Sequence, residues 1–146
     1  VKILKNRLKD KVKIIVNGGI DTIEKAREIL SWADGIMVGR EAYKSPIFIN
    51  SLDNMFLKTK SDRSNLRINI ASQLVEYIIK CKKNDKKFRM HHVTRHMLGL
   101  YHGIPGGKIF RQRLSEISMT DKNPNRIFDL VVESERYLKT KKLMVA

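Results

Sequence analysis

Two glycine-bearing segments carry the residues best suited to bind an anion. Asn17-Gly18-Gly19 and Gly39-Arg40 each follow a short apolar run, and Asn17 and Gly39 lie 22 positions apart. Glycine allows a phosphate to approach the main-chain N–H groups closely, and the guanidinium of Arg40 offers a charged pair of donors. The spacing therefore favours a phosphate site. The alternative is that the glycines only turn the chain and Arg40 is a surface cation.

The elements around these segments are predicted to be strand, helix and strand. Residues 12–17 are β-branched and almost continuously apolar, which predicts a strand covered on both faces. Asp21 precedes Glu24 by three residues, a spacing typical of a capping box at a helix start. Residues 35–39 predict a second short buried strand. The apolar face of the intervening helix consists of Ile23, Ala26, Ile29 and Leu30.

A βαβ unit of this kind normally belongs to a larger parallel sheet, because two strands alone leave edges unpaired. In a (β/α)8 barrel, the loops after the last two strands form a phosphate site. The chain starts at Val1 without an initiating Met, and residues 1–8 resemble the end of a preceding helix. We therefore expect residues 1–50 to be the carboxy-terminal end of a TIM-type (β/α)8 barrel whose remainder is absent.

The second half of the chain is predicted to be helical. Residues 51–65 turn polar and predict a linker, and residues 66–146 show helical periodicity that predicts a small all-helical bundle. Further helices are expected from Lys108 to about Ile117 and after Asn123-Pro124. The fold class is thus α/β plus all-α. The first helical stripe comprises Leu66, Ile70, Leu74, Tyr77, Ile78 and Cys81.

The charge of the chain favours a polyanionic partner. Thirty basic and fifteen acidic residues give a formal net charge of +15. The segment from Lys80 to Arg111 holds nine basic residues and one acid, interleaved with rings that suit stacked bases. Lys108 and Arg111 are predicted one turn apart at a helix start, where an anion is favoured. The alternatives are a solvated lysine-rich face and a general bias of the source genome. The interleaved rings are Phe88, Tyr101, His102 and Phe110.

Other chemistries are weakly supported. His92 and His96 have the i, i+4 spacing of a helical metal chelate, but no helix-borne acid accompanies them, and we predict no metal site. Cys81 is the only cysteine, which excludes an internal disulfide, and it lies among helical apolar positions. The chain has no apolar run of membrane-spanning length and no signal-peptide core at Val1–Lys5, so we expect a soluble, cytoplasmic protein.

Three segments of the chain form recognisable motifs. Residues 16–20 are Val-Asn-Gly-Gly-Ile, residues 35–43 are Gly-Ile-Met-Val-Gly-Arg-Glu-Ala-Tyr, and residues 95–107 are Arg-His-Met-Leu-Gly-Leu-Tyr-His-Gly-Ile-Pro-Gly-Gly. Together they resemble one known family, the tRNA-dihydrouridine synthases, and specifically its A subfamily. The first two segments are shared with other flavin barrels, whereas the third, followed by Lys108 and Arg111, is highly specific.

This resemblance implies an FMN-dependent oxidoreductase that reduces the C5–C6 double bond of D-loop uridines in tRNA, with NADPH as reductant. We also expect no membrane association, and a monomer for the full-length form. The family's FMN phosphate site falls on Asn17, Gly18, Gly19, Gly39 and Arg40, and its subfamily-specific tRNA contacts correspond to Lys108 and Arg111.

The chain departs from the family in two respects. At positions 107 and 108 the family commonly has Ala-Arg, and here Gly107-Lys108 retains the charge without the bidentate donors. The family's proton-donating cysteine and the residues around the flavin ring lie in its first two thirds, and Cys81 does not match that cysteine. We therefore expect an incomplete catalyst. The alternatives are a non-catalytic RNA-binding remnant and, less favoured, another FMN or sugar-phosphate barrel.

Overall fold

A computed structural model of the 146-residue chain describes residues 1–8, 11–57, 65–121 and 123–144. It divides into two compact units, Val1–Lys60 and Ser61–Ala146. Among the described residues, no helix is both long and apolar enough to cross a membrane.

The described residues of the first unit form a two-stranded parallel sheet and four α-helices. The strands are β1 (Ile15–Asn17) and β2 (Gly35–Met37), joined by α2 in a βαβ arrangement. The helices are α1 (Lys2–Leu8), α2 (Ile23–Leu30), α3 (Arg40–Lys44) and α4 (Pro46–Leu57).

One face of this sheet is covered and the other is open. Ile20, Ala26 and Leu52 form the buried centre, and Ile36 packs against it. On the opposite face, Ile15 is 64% exposed and Met37 is 49% exposed. Within the described residues, the first strand therefore has one covered face, because the helices pack on one side of the sheet. The expected cover of its second face concerns the larger sheet and stays a prediction. The strand is also shorter than predicted, since only Ile15–Asn17 pair with β2.

The start of α2 differs from the predicted capping box. Thr22, and not Asp21, is the N-cap residue, and its hydroxyl accepts a 3.2 Å hydrogen bond from the Lys25 backbone N–H. The Asp21 carboxylate instead forms a 2.7 Å ion pair with the Lys25 ammonium.

The predicted linker at residues 51–65 is wrong for its first part. Residues 51–57 belong to α4, where Leu52 is buried in the core and Met55 packs beside it. Phe48 of the same helix packs there too, so apolar residues three or four positions apart attach α4 to the core. Residues 58–64 lie outside the described residues, and Asn65 caps the next helix.

The second unit consists of helices. They are α5 (Leu66–Asn84), α6 (His91–Thr94), a 3-10 turn (Arg95–Met97), α7 (Gly107–Thr120) and α8 (Asn125–Leu143). Helix α8 packs against both α5 and α7, and α7 packs against α6. The largest fully buried side chains include Tyr101, Phe110, Ile127, Leu130 and Val131.

The buried face of α5 is rotated relative to the predicted stripe. Ala71, Val75 and Ile78 are its buried residues. Tyr77, which the stripe places inside, is 54% exposed, and Cys81 is half-buried. Helix α5 packs against α8, so tertiary packing, and not the size of the apolar side chains, decides which of its residues are buried.

A polar network joins α5 to α8 inside the second unit. The Tyr101 hydroxyl donates a 2.9 Å hydrogen bond to Glu135, and the guanidinium of Arg67 lies 3.4 Å from the same carboxylate oxygen. Arg67 also donates to the Leu100 carbonyl and stacks 4.9 Å from the Tyr101 ring. Burial, together with the bond to Glu135, raises the pKa of Tyr101. The hydroxyl therefore remains a donor.

Candidate phosphate-binding and nucleic-acid-binding sites

The register of the two strands brings the glycine segments to one edge of the sheet. Ile15 pairs with Gly35, and Asn17 pairs with Met37. Because the strands are parallel, the residues that follow Asn17 and Met37 leave the sheet at the same edge. Gly18-Gly19 follow the first strand, and Gly39 lies two residues beyond the second.

The turn after β1 requires glycine for its backbone conformation. Gly18 has φ +110° and Gly19 has φ +69°, values that residues with a Cβ rarely adopt. A Cβ added to either glycine would meet no atom within 4 Å among the described residues. The space beside these backbone segments is thus open, and glycine is needed here for conformation and not for packing.

Arg40 begins α3 immediately after Gly39, and it is exposed. Two nearby acidic groups already have cationic partners. Asp21 pairs with Lys25 at 2.7 Å, and Glu41 pairs with Lys44 at 3.5 Å. In the described part of the chain, Arg40 has no ion-pair partner, so its charge is available to an anionic ligand.

The hydrogen bond from Lys25 lowers the pKa of Asp21 below its ordinary value of 3.8. Asp21 is therefore ionised at neutral pH, and Lys25 balances its charge. Glu41 forms its ion pair with Lys44 at 3.5 Å. Arg40 is left as the main uncompensated charge beside the glycine turn.

These residues surround one open depression of about 670 Å³. All five residues that the sequence assigns to a cofactor phosphate line it: Asn17, Gly18, Gly19, Gly39 and Arg40. Three further charged residues, Asp21, Glu41 and Lys44, also line it. The sequence contains a signal for Lys44, which lies one helical turn after Arg40. Such a depression with backbone N–H groups and one free guanidinium can hold a phosphate group.

The residues assigned to RNA lie at the start of α7. This helix begins at Gly107, and Gly106 precedes it with φ +85°. Lys108 is exposed and Arg111 is half-buried, three positions apart on one side of the helix. The predicted pair is therefore placed on a described helix, with at least the Lys108 ammonium open to solvent.

The rings expected to contact bases are only partly accessible. Tyr101 and Phe110 are 2% exposed each and pack against one another with ring centroids 4.4 Å apart. They belong to the core, so their predicted role as stacking platforms is wrong. His102 is exposed and Phe88 is half-buried.

The histidine pair does not occupy one continuous α-helix. His92 lies in the four-residue α6, whereas His96 lies in the 3-10 turn that follows. Within the described ranges, His, Cys, Asp and Glu side chains nowhere come together in threes as a metal-ion site.

Together, these features define a class: an α/β unit with an open, glycine-lined depression at its strand ends, followed by a helical unit rich in basic residues. The family model for dihydrouridine synthase matches residues 1–136. The chain belongs to the dihydrouridine synthase family.

Curated relatives agree with this assignment. The tRNA-dihydrouridine(20/20a) synthase of Pseudomonas aeruginosa is 38% identical over 122 residues, which is 84% of this chain and 36% of that protein. The protein of the same name from Pseudomonas putida is 36% identical over 122 residues, covering 84% and 35%. That from Vibrio vulnificus is 38% identical over 103 residues, covering 70% and 31%. The chain spans about one third of the length of these relatives.

Proposed function

We propose that this chain is the carboxy-terminal part of a flavin-dependent tRNA-dihydrouridine synthase. In this proposal, the first unit is the end of a (β/α)8 barrel that holds the phosphate of FMN. The second unit is a helical domain that binds tRNA near its D loop. The observation that carries the proposal is the depression at the carboxyl ends of β1 and β2, where five predicted phosphate ligands meet.

The residues of the depression are suited to FMN. The backbone at Gly18 and Gly19 is open to a ligand, since no described atom would contact an added Cβ there. Of the described charged residues that line the depression, Arg40 alone has no ion-pair partner, and its guanidinium can bind a phosphate dianion. When bound, FMN reduced by NADPH supplies the hydride for the C5–C6 double bond of uridine. This chain's contribution is to hold and orient the phosphate end of the cofactor.

The helical unit supplies the affinity for tRNA. Residues 51–146 carry twenty basic and nine acidic residues, and exposed Lys108 stands at the start of α7 near Arg111. Each cation that neutralises a phosphate releases condensed counterions, which favours binding. The names of the curated relatives include tRNA, and that supports the same partner for this chain.

The proton donor for the reaction is proposed to lie outside this chain. Cys81 is half-buried within α5, and a hydrogen bond with it raises the pKa of exposed Tyr77. Cys81 thus has a local structural contact. Activity in this proposal depends on the other two thirds of the length found in the relatives. We further propose that the complete enzyme is cytoplasmic and monomeric.

A chimera tests this function. The chain replaces the matching segment of the Pseudomonas aeruginosa relative, and the product is expressed in cells that lack dihydrouridine synthases. We expect a flavin-containing protein that restores dihydrouridine to tRNA, measured by mass spectrometry of tRNA nucleosides. A folded, flavin-free chimera that binds tRNA without forming dihydrouridine would instead favour the non-catalytic RNA-binding alternative.

A further inference from the structure

A second cavity, of about 290 Å³, lies between α7 and α8 in the helical unit. Its inner wall includes the buried side chains of Tyr101, Phe110 and Leu130. At its outer side, Ile109 is 62% exposed and Tyr137 is 47% exposed. A mostly apolar cavity just below the usual ~300–1,000 Å³ of ligand sites suits one small planar group better than a whole cofactor.

The ring of Tyr137 is placed to contact such a group. Gly106 has no side chain, and a Cβ at that position would lie 3.3 Å from the Tyr137 ring. The Lys141 ammonium lies 5.7 Å from the centre of the same ring. An aromatic ring that is half open to solvent and close to a cation is a typical stacking surface for a nucleobase, whose phosphate the cation attracts.

One ion pair lines the cavity and can select among bases. The Arg113 guanidinium and the Glu133 carboxylate are 2.7 Å apart, and their side chains are 44% and 54% exposed. Ser134 also lines the cavity, but its hydroxyl already donates a 2.8 Å hydrogen bond to the Leu130 carbonyl. The pair therefore offers two carboxylate acceptors beside guanidinium donors.

The arrangement of donors and acceptors on guanine matches this pair. The Watson–Crick edge of guanine carries two adjacent N–H donors, which a carboxylate can accept together, next to a carbonyl oxygen that a guanidinium can bind. Uracil carries a single N–H between two carbonyl oxygens and cannot satisfy a carboxylate in the same way. The charges of Lys108, which precedes the lining residue Ile109, and of Lys141 beside Tyr137 favour a ligand with phosphates on either side.

We propose that this cavity binds an unpaired guanine of an RNA strand, with its ring on Tyr137 and its Watson–Crick edge on Glu133 and Arg113. The inference rests on the proposed function for RNA binding and adds a base-specific contact to it. It assigns a role to residues that the phosphate contacts at Lys108 and Arg111 do not use.

The test compares fluorescently labelled pentaribonucleotides that differ at one base. The 146-residue chain is titrated with UUGUU, with the inosine analogue that lacks the 2-amino group, and with UUUUU. We expect UUGUU to bind at least about 5-fold more tightly than UUUUU, as for one bidentate base contact, with inosine between them. Glu133→Gln should abolish the preference. Glu116→Gln, which makes the same charge change at an exposed position of α7, should retain it.

Tyr137→Leu keeps apolar volume and removes the ring, so it should weaken binding of all three oligonucleotides. Equal affinities for UUGUU and UUUUU, or a preference that survives Glu133→Gln, would overturn the proposal. If the chain self-associates and Tyr137→Leu abolishes this self-association, a second copy of the chain fills the cavity. That result would also overturn the proposal.

Failure of this inference is separable from failure of the proposed function. Binding of tRNA with no preference among the pentamers overturns the guanine site alone. The double variant Lys108→Ala with Arg111→Ala gives the opposite case. If it leaves tRNA binding unchanged and the guanine preference persists, the proposed phosphate contacts are overturned and the guanine site in the cavity is supported.

Discussion

Asn17 and Met37 are partners in register across the two parallel strands. This single relationship determines that the glycine turn after β1 and Gly39 after β2 emerge at the same edge of the sheet. A shift of one residue would turn the side chains of one strand to the opposite face. The depression that we propose as a phosphate site therefore depends on strand register as well as on the residues that line it.

The first prediction concerns the conformation of the glycine turn. Gly19→Ala should destabilise the first unit by about 1–2 kcal/mol, because its φ of +69° places a Cβ in the left-handed region. Chemical denaturation of the 146-residue chain measures the change. Gly35→Ala is the matched control. Its added Cβ would make only ordinary contact, 3.5 Å from Ile15, and little change is expected. Equal effects at both positions would contradict the conformational account.

The second prediction concerns the two proposed tRNA phosphate contacts, Lys108 and Arg111. Lys108→Ala with Arg111→Ala should weaken tRNA binding and reduce the slope of log K against log salt by about 1.4–1.8, the value for two phosphate contacts. Binding is measured by filter retention or fluorescence anisotropy at several salt concentrations. The control, Lys11→Ala with Arg27→Ala, removes the same residue types from exposed positions of the first unit. Identical slopes for both double variants would show that net charge alone governs binding.

The third prediction concerns the buried network of the second unit. Tyr101→Phe should lower the free energy of unfolding by about 1–3 kcal/mol, because Glu135, with its side chain 13% exposed, loses its 2.9 Å donor. Urea denaturation followed by circular dichroism measures the loss. Tyr137→Phe removes a hydroxyl from a half-exposed ring of the same unit and should be nearly neutral. A neutral Tyr101→Phe would mean that Arg67 alone satisfies the carboxylate.

The fourth prediction concerns the pH dependence of the first unit. The Ile14 backbone N–H donates to Asp34 at 2.7 Å and Lys5 pairs with it at 2.6 Å, and these contacts lower the pKa of Asp34 below 3.8. A lowered pKa means that the unfolded chain binds the proton more tightly. The stabilisation is therefore present above pH 3.8 and is lost as the pH falls through the lower folded-state value.

Asp34→Asn should accordingly destabilise the first unit at neutral pH and have a smaller effect at pH 3 and below. Denaturation curves recorded across pH 2–7 test this, with Asp53→Asn, at an exposed position of α4, as the control. An effect of Asp34→Asn that does not vary with pH would contradict the ionic origin of the stabilisation.

Local sequence patterns predicted the features that depend on short-range chemistry. The apolar runs before Gly18 and Gly39, and the helix between them, predicted the βαβ arrangement that the structure contains. The predicted start of α8 at Asn123-Pro124 lies within two residues of its observed start at Asn125. The Asn123 side chain accepts a hydrogen bond from the Asn125 backbone N–H there. In these cases, glycine, proline and side-chain acceptors determine the backbone locally.

Features that depend on tertiary packing were not predictable from periodicity. The inward face of α5 contains Ala71 and excludes Tyr77, and packing against other helices decides this face. The helical character of residues 51–57 depends on Leu52 joining a core built from distant segments. The Arg113–Glu133 pair joins residues 20 positions apart, and nothing local in the sequence marks it.

The most direct test of the central claim compares FMN with riboflavin, which lacks the phosphate, on the chimera with the Pseudomonas aeruginosa relative. Fluorescence titration should give a higher affinity for FMN. Arg40→Ala should reduce the ratio of the two affinities by about 10-fold or more, the effect of losing a charged hydrogen bond, and leave riboflavin binding unchanged. Arg27→Ala, at an exposed position of α2, should leave the ratio intact. An unchanged ratio in Arg40→Ala would contradict the assignment of the phosphate site to the depression beside Gly18 and Gly19.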